Sequence, residues 1–172
     1  EGIAPPPANP LVISQPCIRL TDISNTGPTF GRHLTIFEMG GAHAFNYPDR
    51  EVYWKDDTVR FHHRFATECL GIKSEEVIYK EGVWVGGGNA GPDVECICRG
   101  LEVGTLVFMQ YKVVGDDFVE LPIRTVDTGY GIDRFTWISQ GVPSLFQAIY
   151  GNLLNKVMSM AGITNVDNDF LN

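Results

Sequence analysis

Two runs of apolar and β-branched residues, GLEVGTLVFMQYKVV (100–114) and VELPIRTVD (119–127), are separated only by a few turn residues around DDF. A connection that short joins antiparallel neighbours, because parallel strands need a crossover of about a dozen residues or more. The chain is therefore committed to an antiparallel sheet, and its other elements must be compatible with one. LVISQPCIRL reads as a strand that Pro16 interrupts or places at an edge, since proline donates nothing to a ladder. SNTGPTFGR is a loop by its Asn, Gly and Pro content, and RHLTIFEM is a second strand, making a long hairpin with the first.

In that second strand, period two puts His33, Thr35, Phe37 and Met39 on one face and Leu34, Ile36 and Glu38 on the other. DDTVRFHHRFATECLGI predicts a helix capped by Asp56 or Asp57, with Val59, His62, Phe65 or Ala66, and Cys69 or Leu70 on one face, ending at Gly71. EVIYK and GVWVG predict two short strands, and GGGNAGP a flexible loop. IDRFTWISQ opens a helix, and residues 143–162 form an amphipathic one with Leu145, Ile149, Leu153 or Leu154, and Val157 on a stripe, closed by Gly162. The opening APPPANP is extended by its prolines. Hairpin-clustered strands with helices not interleaved one for one give an α+β fold: an antiparallel sheet flanked by helices, in one domain over residues 1–172.

The 172 residues suffice for one full core, and no apolar run approaches membrane-spanning length. Glu1 in place of Met, running straight into a proline-rich segment, suggests a piece of something longer. A net charge of −8 argues against a tight grip on nucleic acid by this segment alone. Cys17, Cys69, Cys96 and Cys98 have neither zinc nor disulfide-framework spacing, so reduced, mostly buried thiols of a cytoplasmic protein are expected. No metal-ligand set is expected either. His62 and His63 are adjacent on a helix and point in different directions, which suits a structural pair.

The candidate chemistry lies in VDTGYGIDRF, Val126 to Phe135. Two glycines one residue apart suggest close approach of a phosphate, but the third position of the dinucleotide fingerprint is Arg134 and no P-loop occurs. Arg19 at a strand end, Arg32 and Arg134 offer guanidinium forks that pair bidentately with phosphate. Phe37 could stack a purine, which is worth roughly 1–3 kcal/mol per base. The bland alternatives stay open from residues alone: Phe37 as core, the arginines as surface ion pairs, and the glycines as a tolerant turn before a helix.

QPCIR, GRHLTIFEMGG, WVGGGNAGP, GLEVGTLVFMQY and VDTGYGIDRFTWISQG, in that order and across nearly the whole chain, closely resemble the catalytic domain of the archaeal alanyl-tRNA synthetases. That family belongs to the second structural class of aminoacyl-tRNA synthetases, ATP-dependent ligases of translation built on an antiparallel sheet. The resemblance implies that Arg19 binds the ATP α-phosphate and the adenylate, and that Phe37 stacks adenine with His33 and Met39 beside it. It implies that Gly129 and Gly131 admit the nucleotide, that Arg134 clamps the γ-phosphate, and that Asp127 holds the α-amino group of alanine. Trp84, Val107 and Thr105 would wall the small amino-acid pocket. Thr105 stands where bacterial relatives carry asparagine, and Gly104 where they carry tryptophan.

ATP, Mg²⁺, L-alanine and tRNA(Ala) are the implied cofactors and partners. The family's first motif is expected before Glu1, and its editing domain and acceptor-stem-reading helices outside these residues, with helix 143–162 leading toward the latter. Oligomerisation is possible in the longer protein. Two other readings remain: an amide-forming ATP-dependent ligase on the same sheet, and a non-catalytic binding relative that kept the fold.

Overall fold

The computed structural model describes residues 4–163. The hairpin that opened the sequence reading is its centre. β5 (Leu101–Val114) and β6 (Asp117–Gly131) pair antiparallel, with Val114 opposite Asp117 at the turn. β1 (Leu11–Ile18), β2 (Ile36–Asn46), β3 (Val77–Gly86) and β4 (Asn89–Cys98) complete a six-stranded sheet in the order β1-β2-β6-β5-β4-β3, with every neighbouring pair antiparallel. β1 is an edge strand, so Pro16 leaves no inner ladder bond unmade. The α+β architecture stands as expected.

Helices α1 (Lys55–Arg64) and α2 (Ile132–Gln140) cover one face of this sheet. His62 stacks on Tyr130 at 5.6 Å, Phe65 and Phe135 meet edge-on at 5.4 Å, and Trp54 meets Phe108 at 5.4 Å. Leu106, Phe108 and Val126 lie beneath them, fully buried or nearly so. α3 (Leu145–Met160) packs on α2 through buried Leu145. The opposite sheet face is left uncovered by α1 and α2, and it holds the large cavity described below. Among the described residues no helix is long and apolar enough to cross a membrane.

Several local expectations need correction. EVIYK and GVWVG are one continuous strand, β3, because Gly82 interrupts the apolar pattern without breaking the backbone. GGGNAGP is not a flexible loop: Gly87 and Gly88, at φ 58° and 79°, form the tight turn of the β3–β4 hairpin, and Asn89 onward is strand. The glycine at 91 lets β4 approach β5, since a Cβ there would collide with the Phe108 carbonyl. β2 begins only at Ile36 but runs through Gly40 and Gly41 to Asn46.

The helix predicted from Asp56 ends as α-helix at Arg64 and continues as a π turn over Phe65–Cys69. Asp56 and Asp57 sit in its first turn rather than capping it. Of the predicted face, His62 and Ala66 are buried and Val59 and Leu70 pack against the core, while Phe65 and Cys69 are exposed. All four cysteines are free; Cys96 and Cys98 are buried and Cys17 is half-buried, so burial holds for two of the four. Finally, Gly151 breaks helical geometry within α3 at φ 41°, and of the predicted stripe Leu145 is buried, Ile149 packs against the core and Leu154 is half-buried, while Leu153 and Val157 are exposed.

Candidate functional site

On the uncovered face, side chains that alternate along β2, β6 and β5 meet in rows set by register. His43 lies opposite Asp127, Asp127 opposite Val107, and Val107 opposite Asp93 on β4. One step along, Gly41, Gly129 and Thr105 form the next row, and Met39 and Gly131 pair beyond it. The sheet itself thus brings together residues as far apart in sequence as 39 and 131.

These rows floor a cavity of about 490 Å³. The site residues expected from the sequence line it: Arg19, His33, Phe37, Met39, Trp84, Thr105, Val107, Asp127, Gly129, Gly131 and Arg134. Phe37, Arg19, Arg32 and Arg134 thus border one hollow.

The local geometry explains each position. Arg19 follows the end of β1 and its backbone N–H donates to the Thr35 carbonyl at 2.9 Å. Its guanidinium lies 5.4 Å from the Phe37 ring centroid. His33 precedes β2 rather than belonging to it, and its N–H donates to the Thr29 hydroxyl at 3.3 Å. Gly129 and Gly131 are not turn residues: they lie in extended β6, and neither has positive φ. The missing side chain of Gly129 leaves open space above the sheet, whereas a Cβ on Gly131 would meet the Arg134 side chain at 3.1 Å. A Cβ on Gly129 would touch nothing closer than the Met39 sulfur at 3.5 Å.

Arg134, in the first turn of α2, is held as a fixed fork. Its Nη1 donates to the Glu102 carbonyl at 2.8 Å and its Nη2 to the Arg32 carbonyl at 2.6 Å, with the Glu102 carboxylate 3.6 Å away. Asp133 accepts the Glu38 backbone N–H at 2.8 Å, pinning the start of α2 to β2. Glu38 itself accepts from the Ser14 hydroxyl, and Arg32 lies 5.5 Å from the Trp137 ring centroid. Thr105 donates its hydroxyl to Glu102 at 2.9 Å. Trp84 leans over Gly86, where any Cβ would strike its ring.

Sequence reasoning missed His43, Glu102 and Asp93. His43 Nδ1 stands 3.0 Å from Asp127 Oδ1. It was findable: extending period two from Phe37 and Met39 past the glycine pair reaches position 43 on the same face. Asp93, buried and with Oδ1 lacking a hydrogen-bond partner, has its carboxyl pushed above the usual range by burial. The adjacent histidines of α1 lie outside this cavity. Buried His62 stacks on Tyr130, while His63 meets the Tyr79 hydroxyl and the Ser74 hydroxyl, each at 3.0 Å.

The sheet thus has one helix-covered face and one cavity-bearing face lined by arginines. A family model described as tRNA synthetases class II (A) matches residues 1–171. The chain belongs to this family, the class II aminoacyl-tRNA synthetases. It is 58% identical over 166 residues to an alanine–tRNA ligase of Korarchaeum cryptofilum, covering 96% of this chain and 18% of that protein. Against an alanine–tRNA ligase of Hyperthermus butylicus it is 58% identical over 171 residues, covering 99% of this chain and 19% of the relative. The chain thus spans under a fifth of the length of the curated relatives it matches. Among solved structures, it resembles a pyrrolysyl-tRNA synthetase from Desulfitobacterium hafniense at 16% identity and a TM-score of 0.48, over 83% of this chain and 46% of that one.

Proposed function

We propose that this chain is the adenylate-forming core of an alanine–tRNA ligase, which joins L-alanine to ATP as alanyl-adenylate and releases pyrophosphate. The observation that carries this reading is the one cavity lined by Asp127, Arg19, Phe37 and Arg134 together. Its volume of about 490 Å³ falls in the ordinary range for small-ligand sites. High identity to alanine–tRNA ligases supports the choice of amino acid.

In this reading the alanine ammonium pairs with Asp127, and Trp84, Thr105 and Val107 close around its methyl group. Adenine stacks on Phe37 beside His33 and Met39, while the absent side chains of Gly129 and Gly131 let the nucleotide lie against β6. Arg19 leaves the Phe37 ring for the α-phosphate, and Arg134 receives the γ-phosphate. An oxygen of the alanine carboxylate then attacks the α-phosphorus, a P–O bond forms there, and the bond to pyrophosphate breaks. The chain's part is positioning and charge neutralisation, with no nucleophilic side chain.

Mg²⁺ fits this site only together with the triphosphate. Among the described residues no group of three or more His, Cys, Asp or Glu could hold a metal, whereas Mg²⁺ usually takes one or two carboxylates plus substrate phosphates. Glu102 and Asp133, which line the cavity, are the carboxylates available, and the ion would supply further neutralisation of phosphate charge. A pocket built for a methyl group rejects glycine or serine by only about 10–200-fold. In the longer protein the alanyl group would pass to the 3′ end of tRNA(Ala), gripped mainly by regions outside these residues, as the net charge of −8 suits. Four free thiols fit a cytoplasmic setting.

The test is ATP–pyrophosphate exchange across the amino acids, in the full-length protein, together with binding of a non-hydrolysable alanyl-adenylate analogue. Alanine should be the best substrate. Exchange dependent on another acid, or on an amine acceptor, would favour the amide-forming alternative; no binding of the analogue would favour a non-catalytic relative. For Arg134→Ala, ATP affinity should fall about tenfold or more, the worth of a hydrogen bond to a charged group. An unchanged ATP KM would remove the phosphate role from this side chain.

A further inference from the structure

The amino-acid end of the cavity holds a histidine with no role in the reading above. His43 Nδ1 lies 3.0 Å from Asp127 Oδ1, and the side chains are 15% and 39% exposed respectively. Its other nitrogen, Nε2, is buried with no hydrogen-bond partner. The space for this ring is built into β2: a Cβ on Gly41 would meet His43 Nε2 at 2.5 Å and Cε1 at 3.0 Å. The register is locked beside the pair, because the Thr128 hydroxyl both accepts the Ala42 N–H at 2.7 Å and donates to the Ala42 carbonyl at 2.8 Å.

We propose that His43 is a positioning residue of the amino-acid pocket, whose Nδ1–H holds Asp127 by one oxygen so that the carboxylate presents its charge to the substrate ammonium. This rests on the reading of Asp127 given above and adds a residue to it. The hydrogen-bond inventory sets the tautomer: a proton on Nδ1 has an acceptor in Asp127, whereas one on Nε2 would be a buried donor with none. A histidine donating from Nδ1 holds the acid by a single hydrogen bond, where an arginine or lysine at this position would carry a fixed or many-donor cation against it. The only other acid in the same row is Asp93, beyond Val107 on β4. His43 acts through Asp127, so its loss should weaken the ammonium end of the ligand and leave the nucleotide end alone.

The test measures binding of alanyl-sulfamoyl adenosine, and separately of ATP, by titration calorimetry on the full-length protein. His43→Phe keeps bulk and removes the donor; the analogue should bind about tenfold more weakly with ATP affinity unchanged. His43→Asn places an amide N–H near the former Nδ1–H and should recover most of that loss. Gly41→Ala, which pushes the ring off its seat, should reproduce the His43→Phe pattern. In ¹⁵N spectra of histidine-labelled protein, His43 should carry its proton on Nδ1, the minor tautomer of free imidazole. Full analogue affinity in His43→Phe, equal loss for analogue and ATP, or a proton on Nε2 would each overturn the proposal. Failure of the wild type to bind the analogue would instead overturn the adenylate reading, and the proposal with it.

Discussion

Asp127→Ala should abolish alanine-dependent exchange while leaving ATP binding close to that of the wild type. In the proposed reading this carboxylate pairs with the substrate ammonium, and it lies four residues back along β6 from Gly131, beside which the Arg134 side chain sits. An ammonium moved from water into that hollow without its partner loses a charge pair, and truncating one member of such a pair costs about 2–5 kcal/mol, or some 30-fold and upward in affinity. The triphosphate and adenine ends do not depend on it. Titration of ATP and of the alanyl-adenylate analogue against the variant separates these outcomes. If both ligands are lost in parallel, Asp127 supports the β2–β6–β5 ladder and has no ligand role.

The second large effect concerns stability in acid. His62 is buried against Tyr130 with neither ring nitrogen hydrogen-bonded, and burial, helped by the charge of His63, lowers its pKa from 6.5 to about 4. The unfolded chain takes up this proton below pH 6.5, whereas the folded chain resists it until about pH 4. The unfolded state thus binds more protons across that window, and stability falls as pH drops through it. That fall from 6.5 to about 4 corresponds to roughly 3 kcal/mol, fully present above pH 6.5 and gone by about pH 4. Urea unfolding at a series of pH values should show this loss. In His62→Phe, which fills the same space between Tyr130 and Tyr79 with no group to protonate, the curve should be flatter by about that amount. Superimposable pH profiles for the two proteins would mean that His62 is not the titrating group.

Glu68 and Glu76 do not confuse the comparison. Arg64 and Arg99 hold their carboxyls below the usual range, but neither pair touches His62 and both are kept in the variant. Asp93 has the opposite sign, because a carboxyl raised by burial is relieved by protonation.

Much of the site was legible because two signals are local. Alternation along a strand is a property of the extended backbone, so Phe37 with Met39, and Thr105 with Val107, could be placed on common faces before any pairing was known. The short link between 114 and 117 forced antiparallel neighbours and thereby the fold class. The motifs around Arg19, Phe37 and Gly129–Arg134 carried the family resemblance. Those parts depend on residue type and spacing alone.

Other features are properties of packing. Gly82 and the run at 86–88 look like breaks in sequence, yet each sits where one strand must pass close to another or turn tightly onto it. Gly71, at φ 68°, ends this helical run as expected, but a π turn over Phe65–Cys69 replaces the last α-turn, and residue preference scarcely distinguishes the two. His43 went unread because a lone histidine after two glycines has no partner until β6 is laid beside β2; only that register puts Asp127 3.0 Å away. The chain's own letters therefore determined an antiparallel sheet, its alternating faces and the side chains offered to a ligand. Which of those side chains share a hollow, and which of them aims the acid, was decided by strand order and register, because hydrogen bonding between distant segments is what converts sequence separation into distance.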